Sequence, residues 1–242
     1  MAHSPRLTLD HLTLDLAGKP VLKDLVFDHE IRRLGIVGRN GSGKSTLARV
    51  VAGLIEPSSG TLTLDGIIPA RDRHAALNRI GILFQNPDHQ IIFPTVREEL
   101  AFGLRQQGHG KAETQSLISR MLARFGKSHW IDAPVSTLSQ GQKQLVCLMA
   151  ILLMQPQLIV LDEPFSGLDL AIRGQLTRLF ESLPQALIHI THDPDCLRGY
   201  DHALWIHEGE IRQSGTPETV LPDYLDYMNQ AGLGDDLSDL TD

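Results

Sequence analysis

Leucines at 7, 9, 12, 14 and 16 alternate with polar residues, until Gly18-Lys19-Pro20 breaks the pattern. That period of two predicts antiparallel strands with one buried and one wet face. Residues 34–37 form a short apolar run, and a helical pattern over 47–54 comes after a glycine-rich gap. A further alternating strand is predicted at 61–64, beyond the turn at 57–60, and a buried strand at 80–84, ending at Gln85. From residue 87 to about 156 the spacing changes to helical, with helices predicted over 96–106, 112–125 and 140–154 and with Gly, Pro and Ser clusters between them. Apolar strands return at 157–161 and 186–191, on either side of a helix over 170–183. The strands at 203–207 and 210–214 are joined by Glu208-Gly209, a hairpin-type turn.

This order predicts an α/β fold whose core has a mostly parallel sheet, with antiparallel strands at the N-terminal end and an inserted helical subdomain. The core is expected over 1–86 and 156–242 and the helical subdomain over 87–155. The acidic tail, 233–242, is expected to be disordered or loosely docked.

Composition changes this picture little. The 242 residues are 42% hydrophobic and 21% charged, as in ordinary globular proteins. A formal net charge of -7 argues against a broad nucleic-acid surface. Cys147 and Cys196 lack CxxC spacing and read as inert thiols in a reducing compartment. Residues 1–10 have no basic start followed by an apolar block, and the longest apolar run, 145–154, is about half of the ~20 residues a membrane helix needs. A cytoplasmic protein, able to sit against a membrane through a partner, is expected. The eleven histidines are dispersed, with no HxxH or Cys/His cluster.

Candidate chemistry is concentrated in the glycine-rich gap. Gly38, Gly43, Lys44 and Ser45 match G-x-x-x-x-G-K-[ST], between a strand and a helix. Phosphate oxygens are approached there by backbone N–H groups, and the helix that follows points its positive end at the anion. Gly38, Asn40, Gly41, Ser42, Gly43, Lys44, Ser45 and Thr46 are therefore the candidate triphosphate-binding set. Lys44 suits the β- and γ-phosphates, and the Ser45 hydroxyl suits magnesium. A second motif is the apolar strand 158–161 that ends in Asp162 and Glu163. Carboxylates at the C-terminal edge of a parallel sheet lie where ligands bind. Asp162 suits magnesium, and Glu163 suits polarisation of a water attacking the γ-phosphate. Between the two motifs, Leu138-Ser139-Gln140-Gly141-Gln142 opens a helix with Ser139 as a good N-cap.

In this order and spacing, the three motifs resemble those of the ATP-binding-cassette (ABC) ATPases. Gln85 matches that family's Q-loop, Ser166-Gly167-Leu168-Asp169 its D-loop and His192 its switch histidine. The resemblance covers nearly the whole chain. It implies an ATPase that uses ATP and Mg2+ and works as a head-to-tail pair, homodimeric or with a paralogue. By that resemblance Ser139 and Gly141 reach the γ-phosphate bound to the second subunit, and Gln142 and Asp169 also belong to the nucleotide-binding set. Gln85 senses magnesium and the attacking water, and His192 contacts the γ-phosphate bound in its own subunit.

Several positions depart from the family pattern. Gln140 replaces a glycine of the signature, and Gly167 an alanine of the D-loop. The segment 29–33 is compressed before the phosphate-loop strand. No Phe, Tyr or Trp lies near residues 14–17, where the family stacks adenine. Residues 85–99 resemble the energy-coupling-factor (ECF) branch, which imports vitamins or cobalt and nickel ions. That branch implies a transmembrane coupling subunit, a substrate-binding membrane subunit and a place on the cytoplasmic face of the membrane. Glu98 and Glu99 either pair with basic residues of the coupling subunit or form a solvated acidic helix start. The compressed 31–34 segment and the run after Ser139 look most like the ATPase of biotin uptake systems, with cobalt or nickel uptake as the alternative. A soluble ABC ATPase acting on DNA or ribosomes fits less well with one phosphate loop and an acidic chain. A small-molecule P-loop kinase leaves 138–142 and His192 unexplained.

Overall fold

A computed structural model describes residues 4–234. Two strands, β1 (Arg6–Leu16) and β2 (Lys19–Glu30), pair antiparallel around the two-residue turn Ala17-Gly18. Both turn residues have positive φ (50° and 76°), the twist that suits a tight hairpin. The break expected through Pro20 is therefore shorter than the sequence suggests. Lys19 and Pro20 pair with Leu16 and Asp15. A proline is tolerated there because β2 is an edge strand of its sheet, whose order is β2-β1-β4 with β4 at Ser59–Leu64.

The second sheet has the order β5-β6-β7-β3-β8-β9, with β3 at Arg33–Val37, β5 at Ile80–Leu83, β6 at Leu158–Asp162, β7 at Ala186–Ile190, β8 at His202–His207 and β9 at Glu210–Gly215. Its first five strands run parallel, and β9 returns antiparallel to β8. Since β3 lies between β7 and β8, the loop leaving β3 emerges mid-sheet, with the end of β6 just beyond that of β7. The leucines of β1 and β2 and the apolar face of α1 (Lys44–Val51) close one core against this sheet.

Helices α3 (Val96–Gln106), α4 (Lys111–Arg124) and α5 (Gln140–Leu153) form a block beside the sheet. Val146, Met149 and Leu153 of α5 pack with Leu100, Leu104, Ile118 and Trp130. Cys147, Leu148, Ile151 and Leu152, also on α5, pack with Leu161 and Leu187 of the sheet. A helix buried on two sides must be apolar nearly all round, which explains the run at 145–154. Among the described residues, no helix is long and apolar enough to cross a membrane.

The chain also folds helices that its pattern did not announce: α2 (Arg73–Arg79) and α7 (Pro217–Gly234), with α6 (Leu170–Ser182) between them in chain order. Val220, Leu221 and Tyr224 of α7 pack against Leu197, Ala203 and Trp205. Of the acidic tail expected at 233–242, Leu233 and Gly234 belong to the last turn of α7; the rest lies outside the described residues.

The reading of the α3 start as a solvated acidic pair is corrected at Glu99, while Glu98 is half-buried. Glu99 is only 7% exposed, and its Oε2 accepts from the backbone N–H groups of Ile92 and Phe93 (2.9 Å each). Glu98 Oε2 accepts from the Thr95 hydroxyl (2.5 Å), and Thr95 caps the helix. Both acids build the 90–96 bend. Hydrogen bonds to a buried charge contribute about 1.5–3 kcal/mol each, so Glu99 is a structural residue and not a solvated one.

Candidate phosphate-loop site

The loop 38–43 connects β3 to α1 and runs past two close neighbours. A Cβ on Gly38 would come within 2.2 Å of the Ile206 carbonyl oxygen. Gly43 has φ 104°, and a Cβ there would meet Leu22 and the Val21 carbonyl at 2.9 and 3.0 Å. The backbone therefore lies bare toward the cavity, as a phosphate cradle needs.

Lys44 is 5% exposed, and its Nζ donates to the carbonyls of Gly38 and Arg39 (2.7 and 2.8 Å). Burial holds its pKa below the ordinary lysine value, against the opposing pull of Glu163 and Asp162. A strongly held ammonium at the mouth of the loop is a ready partner for a polyanion. Ser45 Oγ donates to Asp162 Oδ1 (2.9 Å). Asp162 is 4% exposed, and burial pushes its carboxyl above the usual range although the Ser45 hydrogen bond pulls it down.

Glu163 follows Asp162 with φ 50°, an uncommon conformation for a non-glycine residue, held by its N–H to the Ile190 carbonyl (3.0 Å). His192 comes from the end of the neighbouring strand, β7, and its Nδ1–H donates to Glu163 Oε2 (2.8 Å). Gln85, just past β5, donates its side-chain amide to Ser166 Oγ (3.1 Å). Asn40, Gly41, Gly43, Lys44, Ser45, Thr46, Gln85, Glu163, Ser166 and His192 line one cavity of about 380 Å³. Val21 closes it on the β1–β2 side, and among the described residues no Phe, Tyr or Trp lines it. Ser42, also in the candidate set, does not line it. Its hydroxyl is buried without a partner among the described residues, and its backbone carbonyl accepts from Gly209 N–H (3.1 Å).

Ser139, Gly141, Gln142 and Asp169 do not line this cavity. Ser139 caps α5 in a reciprocal box, with its N–H donating to Gln142 Oε1 (2.9 Å) and its Oγ accepting from Gln142 N–H (3.4 Å). Gly141 sits against α6, where a Cβ would come within 2.6 Å of Ile172 Cδ1. Asp169 caps α6 through the Ile172 N–H (2.9 Å).

Gln140, the departure in the signature, has a visible use. Its amide donates to Asn86 Oδ1 (3.4 Å), one turn of helix before Lys143 donates to Asp88 Oδ1 (2.7 Å) and Gln144 to the Phe84 carbonyl (3.1 Å). These three bonds tie the first turn of α5 to the segment around Gln85. Asn86 and Asp88 lie in the 85–99 stretch and Lys143 and Gln144 in the run after Ser139, but only their pairing in space reveals this use. The Gln140 bond is the longest of the three. Gln140→Gly is accordingly expected to leave steady-state ATP hydrolysis within a few-fold of wild type, a barrier change under ~1.4 kcal/mol. A large gain would mark Gln140 as a brake, and a collapse would make its amide indispensable.

The oxygen-rich set of Ser45, Asp162 and Gln85 suits a hard cation such as magnesium, whose charge would also offset the cost of burying the Asp162 carboxylate. Residues 24–166 match a family model described as ABC transporter. The chain is 46% identical to the biotin transport ATP-binding protein BioM of Rhodobacter capsulatus, over 92% of this chain and 95% of that protein. It is 33% identical to the energy-coupling factor transporter ATP-binding protein EcfA1 of Lactobacillus delbrueckii subsp. bulgaricus, over 94% of this chain and 84% of that one. Among solved structures, CbiO1 of Clostridium perfringens, part of the ABC transporter complex CbiONQ, superposes with a TM-score of 0.77 at 28% identity, covering 96% of each chain.

Proposed function

Given that the chain belongs to the ABC transporter family, we propose that it is the ATPase of an ECF-type importer whose cargo is biotin. The observation that carries the ATPase reading is the single cavity in which Lys44, Ser45, Glu163 and His192 converge beside a bare loop backbone. The likeness to BioM over most of both chains supports the cargo.

In this reading the loop amides and Lys44 bind the triphosphate, and their charges oppose the negative charge that develops on the transferring phosphoryl group. Ser45, Asp162 and Gln85 would hold Mg2+, which would supply charge neutralisation at the phosphates. Glu163 is the base that orients and polarises the attacking water. His192 has its Nδ1 engaged by Glu163, so Nε2 is the nitrogen that addresses the nucleotide. Ser139, Gly141, Gln142 and Asp169 act on the nucleotide of a second ATPase subunit, which is a second copy or a paralogue. Residues 87–155 form the subdomain that follows the nucleotide state through Gln85.

The protein works at the cytoplasmic face of the membrane, against a transmembrane coupling subunit, with a separate membrane subunit binding the cargo. Beside the Gln85 segment, Ile92 is 69% exposed and the rings of Phe93 and Phe102 lie 5.3 Å apart, an apolar surface suited to such a partner. Uptake of labelled biotin by cells with and without the gene tests the cargo. Biotin uptake is expected to fall in its absence. Uptake that ignores the loss, while radioactive cobalt or nickel uptake falls, would replace biotin with a metal ion.

A further inference from the structure

His192 is held loosely for a residue that must meet a phosphate. Its side chain is 63% exposed, and its one side-chain hydrogen bond among the described residues is to Glu163. Its placement therefore depends on the backbone at either side. On one side the Thr191 N–H donates to the Ile36 carbonyl (3.0 Å). On the other side stands Asp193, whose N–H donates to Thr191 Oγ1 (3.0 Å) and whose Oδ1 accepts from Asp195 N–H (3.1 Å), opening the tight turn Pro194–Leu197.

Asp193 is in turn gripped from a different element. The guanidinium of Arg173, one turn into α6, donates to Asp193 Oδ2 and to Cys196 Sγ (2.9 Å), and lies over the ring of Phe165, 5.5 Å from its centre. One cation thus touches the residue after His192, the turn behind it and the aromatic two residues beyond Glu163. Both hydrogen bonds leave one nitrogen, Nη2, while the flat face of the guanidinium stacks on the ring, a contact for which an ammonium has no plane. Helix α6 begins at its cap Asp169, so the grip links the His192 loop to the Asp169 segment.

We propose that Arg173 is a positioning residue for the hydrolytic step, setting His192 against Glu163 according to where α6 and its Asp169 cap stand. The proposal rests on the role given to His192 above. An ordinary ion pair at this level of exposure, 35% and 32%, would contribute about 0–1 kcal/mol to stability and leave the rate alone.

The test uses the full chain and three variants: Arg173→Gln, Arg173→Lys and His192→Ala. Arg173→Gln is expected to keep its thermal midpoint and its ATP affinity near wild type while kcat falls about tenfold, equal to ~1.4 kcal/mol in the barrier. In histidine-labelled protein, the His192 ring resonance, assigned by its loss in His192→Ala, should shift and broaden. Arg173→Lys, which keeps a cation beside Asp193 but not the guanidinium plane over Phe165, should recover part of both signals. Combined with His192→Ala, Arg173→Gln should lower kcat no further, because both changes act through one group. A full additional loss in that background would overturn the proposal. An unchanged His192 resonance in Arg173→Gln would overturn it too, whatever the rate. If His192→Ala alone leaves hydrolysis intact, the role given to His192 fails, and the ring resonance by itself then decides whether Arg173 positions it.

Discussion

Glu163→Gln is expected to bind MgATP normally and to hydrolyse it about 10²–10⁴-fold more slowly, the usual contribution of a general base. The substitution is nearly isosteric. The Glu163 backbone, held at φ 50° by the Ile190 carbonyl, has no reason to move, and an amide oxygen can still accept from His192 Nδ1–H. What is lost is the carboxylate that takes the proton of the attacking water. With turnover blocked and binding intact, the ATP-bound dimer should accumulate, visible as a shift in size-exclusion elution on adding MgATP. Steady-state phosphate release is the deciding measurement. Hydrolysis near the wild-type rate would move the base role to another group, and His192, 2.8 Å away, would be the next residue to test.

The phosphate-loop half of the site was legible in the sequence because its chemistry is local. A strand, a bare loop and a helix must follow one another directly, so Gly38, Gly43, Lys44 and Ser45 announce themselves by spacing alone. Asp162 and Glu163 needed a second inference, that their strand carries them to the C-terminal edge of a parallel sheet; the order β5-β6-β7-β3-β8 sets β6 two strands from β3, with β7 between. What was not legible depends on pairing across distance. Glu99 reads as a solvated acid in any helix start, and only the fold brings the Ile92 and Phe93 N–H groups onto it. Gln140 looks like a defect until Asn86 is seen opposite it. Helix α7 was obscured by Pro222 inside it, although Val220, Tyr224, Tyr227 and Met228 carry a helical spacing that packs on or beside Trp205. Ser42 lies within the phosphate-loop motif, yet its hydroxyl is buried without a partner among the described residues and does not line the cavity.

Ser139→Arg and Lys44→Ala are expected to abolish hydrolysis for different reasons, and the difference tests the two-subunit arrangement. Lys44 stands in the cavity, so its loss should weaken ATP binding by an isolated subunit directly. Ser139 stands outside that cavity at the head of α5, so an isolated Ser139→Arg subunit should bind ATP as well as wild type. Replacing the cap costs the helix about 1 kcal/mol, and a thermal melt should show no more than that. Hydrolysis should nevertheless vanish, because a long cation now stands where the second subunit's nucleotide is to be met. Mixing the two dead variants gives the sharper result. In a heterodimer one composite site combines both damaged motifs, while the other combines the intact Lys44 of one subunit with the intact Ser139 of its partner. Activity should therefore reappear on mixing and be absent from either variant alone. If both substitutions instead reduced the ATP affinity of the isolated subunit equally, Ser139 and Lys44 would serve one pocket and the head-to-tail arrangement would fall. If each behaved as predicted alone but mixing restored nothing, the two subunits would have to fire together, since the heterodimer retains only one sound site.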